Sequence, residues 1–245
     1  STACSSAMNA ILVGANLIRS GAFDIVVAGG SECLTRFHLN GFNALMILDT
    51  QPCRPFDATR AGLNLGEGAA YVVLERAASA RRRGVRALAT LDGVANTCDA
   101  FHQTASSADG EGAFRAMRGA LADAGLDPSE VDYINAHGTG TPNNDASESA
   151  AMLRLFGDRV PPVSSTKAFT GHTTSASGAI ETVICLLALR HGFLPVNLNW
   201  QHPMDNGIVP VRESRPPREI RHVLCNSFGF GGNDSSLLLS KWQER

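Results

Sequence analysis

Apolar positions along the chain form helical repeats and short continuous runs that alternate with turns rich in glycine and proline. Apolar spacing of three and four residues between capping residues predicts helices, and apolar runs closed by glycines predict buried strands. The predicted helices cover 5–19, 111–124, 145–156 and 176–190. The predicted strands cover 23–32, 66–76, 87–97, 131–137, the beginning of 161–172, and two segments around a glycine-rich turn within 222–242.

The alternation of helices and strands predicts the fold class. Several strands are continuous apolar runs, which is typical of strands covered on both faces. The helix over 176–190 is apolar nearly all round, so we expect it to be deeply buried. The sequence therefore predicts an α/β layered fold with a covered sheet. A change in composition at 80–86 predicts the boundary between two units, 1–86 and 87–245.

Composition and charge argue against several classes of function. The net charge is -2 and no basic stripe carries interleaved aromatic residues, so no nucleic-acid partner is expected. The longest apolar run, AIETVICLLAL, is far shorter than a membrane span and contains Glu181. None of the six cysteines has C-x-x-C spacing, which argues against a zinc ribbon or a thioredoxin-type site. We expect a cytoplasmic protein with free thiols and no membrane partner.

Cys4 is the first candidate for chemistry. Its thiol lies at the start of a predicted helix, where the positive end of the helix dipole favours the thiolate. Small residues on both sides leave room for a substrate. A buried structural cysteine is the alternative that these residues leave open.

A second group of candidates lies in NAHGTGTPNND and the helix that follows it. His137 ends a predicted strand and precedes a glycine- and threonine-rich loop, which is a frequent position for a catalytic side chain. Asp145 and Glu148 follow at the start of the next helix. A hydrogen-bonded core histidine with two capping carboxylates is one alternative. A metal site built from His137, Asp145 and Glu148 is another, although the ligand spacing is not tight.

The stretch STKAFTGH leads into the apolar helix and contains Lys167 and His172. A buried lysine requires a partner, because an unpaired charge is costly away from water. The sequence predicts Glu148 as that partner, and a loop lysine that points into water is the alternative. Further along, NSFGFGGND has a strand on each side of its glycines, so it is not a dinucleotide-binding loop. Such a turn can present backbone N–H groups to an oxyanion.

Six stretches occur in the same order as the motifs of one known family. They are TACSSA, CRPFDATRAGLNLGEGAA, DAFHQT, NAHGTGTPNND, STKAFTGH and NSFGFGG. Together they resemble the elongating β-ketoacyl-acyl-carrier-protein synthases, over the whole 245 residues. The resemblance implies a thiolase-like layered α/β/α/β/α fold, of which this chain carries the end of the first half and the complete second half. It also implies a decarboxylative Claisen condensation in fatty-acid or type II polyketide or polyene biosynthesis.

The resemblance implies a role for each matching residue. Cys4 is the expected nucleophile, and His137 and His172 are expected to hold the thioester oxygen while malonyl-carrier protein loses carbon dioxide. Lys167 and Glu148 are the expected supporting ion pair, with Asp145 nearby. Phe230 is the expected gate, and its backbone N–H is expected to share an oxyanion hole with that of Cys4. The expected pantetheine-binding residues are Thr139, Thr141, Thr104 and, less directly, His102.

The resemblance also implies what the protein binds. No metal and no resident cofactor are expected, since phosphopantetheine arrives on the acyl carrier protein. The expected partners are that carrier protein, a complementary N-terminal fragment or chain, and a second subunit in a homodimer or in a heterodimer with a chain-length-factor homologue. The missing neighbouring strands predict bare edges and apolar faces on the first-half sheet.

Two alternatives to catalysis by condensation remain at this stage. A chain-length-factor-like partner keeps the fold without chemistry, but such partners usually lack the active cysteine. A cysteine hydrolase needs neither a second histidine nor the lysine. One departure from the family concerns Asn233 and Asp234, which stand where the family usually has Thr-Asn and alter the hydrogen bonding behind the gate.

Overall fold

The computed structural model describes residues 1–214 and 216–243. The helices are α1 (Ser6–Arg19), α2 (Arg36–Ala44), α3 (Ala77–Arg82), α4 (Glu111–Ala124), α5 (Pro142–Phe156), α6 (Lys167–Thr170) and α7 (Ser177–His191). The strands are β1 (Ile25–Glu32), β2 (Gly68–Glu75), β3 (Ala89–Cys98), β4 (Tyr133–Asn135), β5 (Val163–Ser164), β6 (His222–Gly229) and β7 (Asn233–Lys241). The predicted α/β class is confirmed.

The larger sheet has five strands in the order β3-β7-β6-β4-β5. β4 pairs in parallel with both β5 and β6, whereas β6–β7 and β7–β3 are antiparallel. Leu224 and Leu238 face α4 and α5 in one core cluster, while Val223 and Leu237 face α1 and α7 in the other. Helices therefore cover both faces of this sheet, which explains why β6 and β7 are buried almost throughout.

The smaller sheet consists of β1 and β2, paired antiparallel with Val27 opposite Val73. Its inner face packs on α1 and α7 through Val26, Val72 and Leu74. Its outer face is open, and Val27 and Val73 are 65% and 66% exposed. The described residues thus form four of the five expected layers, which are α4 with α5, the larger sheet, α1 with α7, and the smaller sheet. The expectation of a bare apolar face is confirmed.

Most predicted elements appear, with differences at some ends. The helix over 111–124 has the predicted bounds, because Gly125 adopts a left-handed conformation that ends it. The helix predicted over 145–156 begins three residues earlier, at Pro142, where proline suits the first helical turn. α7 lies between the sheets as expected, although Leu187 is 42% exposed. α2 was not predicted. None of its residues is buried. The division at 86 stays a prediction.

Candidate active site

Cys4 lies in a short 3₁₀ turn, Ala3–Ser5, that runs directly into α1. The side chain of Ser227 on β6 donates a hydrogen bond to the Cys4 carbonyl oxygen at 2.9 Å. Gly229, at the end of β6, comes so close that a Cβ there would lie 2.6 Å from the Thr2 carbonyl oxygen. The absence of a side chain at Gly229 therefore lets the turn that carries Phe230 approach the cysteine.

Two histidines face the Cys4 thiol. His172 Nε2 is 3.1 Å from Cys4 Sγ, and the rings of His137 and His172 are 5.3 Å apart at an angle of 81°. His137 follows β4, where the larger sheet meets the site. The backbone of His172 is anchored to 64–66, since its N–H donates to the Asn64 carbonyl at 2.7 Å and its carbonyl accepts from Gly66. The sequence predicted both histidines, and the structure brings them to Cys4.

The partner of Lys167 differs from the prediction. The buried ammonium of Lys167 forms an ion pair with Glu181 on α7 and donates to the His137 carbonyl. The predicted pairing with Glu148 is wrong. Glu148 accepts instead from the backbone N–H groups of His137 and Gly138, at 2.9 and 2.8 Å. Its carboxylate is therefore occupied in holding the loop after β4.

Asp145 does not line the cavity at the thiol, and its carboxylate instead holds two backbone segments in position. Its carboxylate accepts from the backbone N–H groups of Phe56 and Gly140, at 2.8 and 3.2 Å, and lies 3.7 Å from the Arg60 guanidinium. It thus ties the 53–63 segment to the loop after β4.

Glu181 is the functional residue that the sequence analysis missed as a partner of Lys167. The signal was a lone carboxylate inside the most apolar helix.

Burial controls the ionisation of the site. It raises the pKa of the Cys4 thiol to about 11, while the charge of Lys167 and the backbone N–H groups of Phe230 and of Cys4 itself lower that pKa. Burial, with the charge of Lys167, holds the pKa of both His137 and His172 well below the usual range. Burial also raises the pKa of Glu148 to about 7. Both imidazoles are consequently neutral near pH 7, and each carries one N–H.

The backbone N–H groups of Phe230 and Cys4 approach the thiol, which is the arrangement that an oxyanion hole requires. The Phe230 ring stacks on Phe42 of α2, with centroids 6.0 Å apart. Phe230 therefore contacts the thiol through its backbone N–H and α2 through its ring. Its role as a gate stays a prediction.

A cavity of about 340 Å³ opens onto the thiol. The predicted residues that line it are Cys4, His137, His172, Phe230, Thr104, Thr139 and Thr141. The hydroxyls of Thr139 and Thr141 are 2.8 Å apart. His102 is exposed, does not line this cavity, and accepts at Nδ1 from the backbone N–H groups of Thr104 and Ala105. The apolar part of the wall, which the sequence analysis did not identify, includes Phe42, Met46, Ile47 and Leu63.

The structure does not bring the predicted metal ligands together. Within residues 1–214 and 216–243, the donor atoms close enough to share one ion belong to Cys4, His137 and His172, all within 4.8 Å of one another. The alternative of a site made by His137, Asp145 and Glu148 is therefore wrong. No helix in the described part of the chain is long and apolar enough to cross a membrane.

Comparison with known proteins decides the family. Residues 1–80 match the family described as beta-ketoacyl synthase, N-terminal domain, and 88–201 match beta-ketoacyl synthase, C-terminal domain. The chain belongs to the β-ketoacyl synthase family. It is 44% identical over 252 residues to 3-oxoacyl-[acyl-carrier-protein] synthase 2 of Rhizobium meliloti, with 98% of this chain and 60% of that protein covered. The chain thus spans about 60% of the length of that curated relative.

Solved ketosynthase structures confirm the thiolase-like layered fold. One is a type II PKS acyl-carrier protein in complex with its ketosynthase bound to the hexaketide, with a TM-score of 0.95 and 31% identity, covering 99% of this chain and 62% of that one. Another is a ketosynthase in complex with its chain length factor from Xenorhabdus doucetiae. It has a TM-score of 0.89 and 39% identity, and it covers 98% of this chain and 59% of that one.

Proposed function

We propose that the protein containing this chain is a condensing acyltransferase, which joins a Cys4-bound acyl chain to malonyl-acyl-carrier protein with loss of carbon dioxide. One observation carries the proposal: the Cys4 thiol, two neutral imidazoles and two backbone N–H groups converge on one cavity. A hydrolase or a purely structural partner has no use for a second imidazole and a buried lysine beside the thiol.

The first half-reaction is acyl transfer. The Cys4 sulfur attacks the thioester carbonyl, and the negative oxygen that forms accepts hydrogen bonds from the N–H groups of Cys4 and Phe230. The carbon–sulfur bond to the carrier then breaks, and the thiol proton of Cys4 leaves with the pantetheine sulfur. Cys4 needs this assistance, because burial raises the pKa of its thiol to about 11.

The second half-reaction is carbon–carbon bond formation. Malonyl thioester loses carbon dioxide, and its electron pair forms an enolate whose oxygen accepts hydrogen bonds from the N–H groups of His137 and His172. The enolate carbon attacks the acyl carbonyl on Cys4, and the cysteine sulfur leaves as a thiolate to give a β-ketoacyl-carrier protein. The thiolate then takes up one proton from solvent, which regenerates the Cys4 thiol. Lys167 supports this step, since burial and, after it, the charge of Lys167 lower the pKa of both imidazoles and keep them neutral.

The substrate and the partners belong to the same proposal. Thr139, Thr141 and Thr104 hold the pantetheine arm of an acyl carrier protein, and no resident metal or cofactor takes part. A solved ketosynthase of similar fold is bound to its acyl-carrier protein, and another to its chain length factor. These complexes support a carrier protein as donor and a chain-length-factor homologue as second subunit, whereas a homodimer stays a prediction. A cytoplasmic location stays a prediction.

The open outer face of the smaller sheet supports a further partner. Val27, Tyr71 and Val73 are each more than half exposed on that face. We propose that a complementary N-terminal part of a ketosynthase covers it in the complete protein, because contiguous apolar surface of this kind marks an interaction site.

The test is intact-mass measurement of the purified protein after incubation with an acyl-carrier-protein thioester. We expect one added acyl group, located on the Cys4 peptide, and carbon dioxide release when malonyl-carrier protein follows. Cys4→Ala should lose the acyl group, whereas Cys33→Ser, a change at an exposed cysteine far from the cavity lining, should retain it. Acylation that survives Cys4→Ala, or an unmodified wild-type Cys4, contradicts the proposal.

A further inference from the structure

Asp234 is a buried acid next to the candidate active site that the proposed reaction does not use. It lies at the start of β7, opposite Phe228 of β6 and Thr97 of β3, and is 2% exposed. The family that the sequence resembles usually has asparagine at this position, so an ionisable group replaces a neutral one. Among the described residues, no hydrogen bond to its carboxyl group is found.

A second carboxyl group, that of Asp99, lies beside Asp234. Both side chains abut Gly112 of α4, where a Cβ would lie 2.1 Å from Asp234 Oδ2 and 2.7 Å from Asp99 Cβ. Any side chain at position 112 would therefore collide with the pair. Two carboxylates held this close repel each other, and binding one proton between them removes the repulsion.

The other charges around Asp234 do not neutralise it. Glu148 of α5, another acid, also acts on Asp234 electrostatically. On α4, Glu111 is occupied by Arg115 and Arg154, at 2.6 and 2.8 Å. Burial, together with the charges of Asp99 and Glu148, raises the pKa of Asp234 to about 7.

Asp99 connects this pair to the mouth of the cavity. Its carboxylate accepts from the backbone N–H groups of Phe101 and Ser107, so it shapes the segment that carries Thr104. Its own N–H donates to the Gly232 carbonyl at 3.1 Å. A Cβ on Gly232 would lie only 1.9 Å from Asp99 Oδ1. The carboxylate thus packs directly against the turn that carries Phe230.

A second backbone contact joins the same two segments. The N–H of Gly231 donates to the Gln103 carbonyl at 2.8 Å. The 99–107 segment and the 229–232 turn are therefore docked on each other, and they contribute Thr104 and Phe230 to the cavity wall. A force that separates Asp99 from Asp234 acts directly on this docking.

We infer that Asp234 is a positioning residue which, when protonated, donates a hydrogen bond to the Asp99 carboxylate and keeps the two segments closed over Cys4. Loss of that one proton leaves two facing carboxylates, and the mouth of the cavity loosens. Access to the thiol is therefore linked to pH. The inference rests on the proposed role of Cys4 as the acyl acceptor, but its test requires no condensation.

The sign of the effect on stability follows from the direction of the shift. A carboxyl group with a higher pKa in the folded state than in the unfolded state binds its proton more tightly when folded. Wild-type stability should fall as pH rises from about 4 towards about 7 and then level off. Asp234→Asn keeps the shape and a permanent N–H donor, so this part of the pH dependence should disappear.

The experiment compares wild type, Asp234→Asn and a control, Asp158→Asn, which changes an exposed aspartate. The complete purified protein is measured between pH 5.5 and 8.5, because this range brackets the Asp234 pKa of about 7. One readout is thermal unfolding. The Tm of Asp234→Asn minus the Tm of wild type should increase by at least about 5 °C from pH 5.5 to pH 8.5. The other is the rate of Cys4 alkylation by iodoacetamide, followed by peptide mass. The ratio of wild-type to variant rates cancels the ionisation of the thiol itself, and it should rise roughly fivefold with pH.

Asp158→Asn should match wild type in both readouts. Should Asp234→Asn fail to fold, Asp99→Asn serves as the second variant, because removing either acid removes the repulsion. An alkylation ratio that stays flat with pH overturns the inference, even where the Tm difference changes, since Asp234 would then be structural only. These outcomes are independent of acyl loading and of carbon dioxide release, so the inference and the proposed function can fail separately.

Discussion

The five-stranded sheet is covered by helices on both faces, whereas the two-stranded sheet is covered on one face and open on the other. β6 and β7 bury nearly every residue, and the hydroxyls of Ser227 and Ser236 on these strands donate hydrogen bonds to Cys4 and Asn226. On the open face of β1 and β2, Val27 and Val73 have no cover. The larger sheet depends on internal pairing of buried polar groups. The smaller sheet instead presents an apolar face that none of the described residues covers.

The candidate active site lies where these two parts meet. Cys4 lies in the turn that leads into α1, which packs on the smaller sheet, while His137 follows a strand of the larger sheet. Lys167 and Glu181 join the two through α7. The geometry of the candidate active site therefore depends on the packing between the two sheets as well as on each one.

The largest effect should come from breaking the buried ion pair in the well-covered part. Lys167→Met leaves the Glu181 carboxylate buried without a counter-charge, so the free energy of unfolding should fall by about 3–5 kcal/mol. Urea denaturation at pH 7.5 measures this. Lys167→Met combined with Glu181→Leu should regain most of the stability, because both charges are then absent, but it should not regain acyl transfer.

The matched control for that variant is Arg19→Met, which breaks the partly exposed pair of Arg19 and Asp123. It should change the stability only slightly, since exposed pairs contribute little. Equal losses in the free energy of unfolding for Lys167→Met and Arg19→Met would contradict the view that the larger sheet depends on internal pairing of buried polar groups.

An intermediate effect should come from the open face of the smaller sheet. Val73→Lys places a charge at the centre of that face. If a partner covers the face, as we propose, the dissociation constant of the assembly should rise at least about tenfold. Light scattering on a dilution series of the purified protein measures it.

Val209→Lys is the control for this change, because Val209 is an equally exposed valine, at 65%, outside both sheets. It should leave the assembly intact. Equal weakening of the assembly by both variants would show that the open face is not an interface.

Sequence reasoning succeeded where local chemistry is sufficient. The bounds of α4 follow from its amphipathic pattern and from Gly125, and the strands on either side of the glycine-rich turn follow from their apolar runs. The convergence of Cys4, His137 and His172 came from the resemblance of six motifs. Their spacing alone left a structural cysteine and a metal site open.

Sequence reasoning failed where the answer depends on which elements pack together. Glu148 and Glu181 are both carboxylates in helices near Lys167 in the sequence, and only the position of α7 beside α6 shows that Glu181 is the partner. α2 was also missed, and its contact with the site, the stacking of Phe42 on Phe230, joins segments far apart along the chain. The pairing of Asp99 with Asp234 likewise joins two segments that lie far apart along the chain.

The smallest effect concerns Phe42, which lies on α2 and lines the cavity of the candidate site. Its ring stacks on Phe230 at 6.0 Å although α2 has no fully buried residue. Phe42→Ala should remove an aromatic contact worth about 1 kcal/mol. Phe230 should then leave the thiol more often, and iodoacetamide should alkylate Cys4 a few times faster at constant pH. Phe37→Ala, which removes an exposed aromatic side chain from the same helix, should not change the rate. An unchanged rate of Cys4 alkylation in Phe42→Ala would show that α2 does not help to close the mouth of the cavity, which would then be closed by the elements around the larger sheet alone.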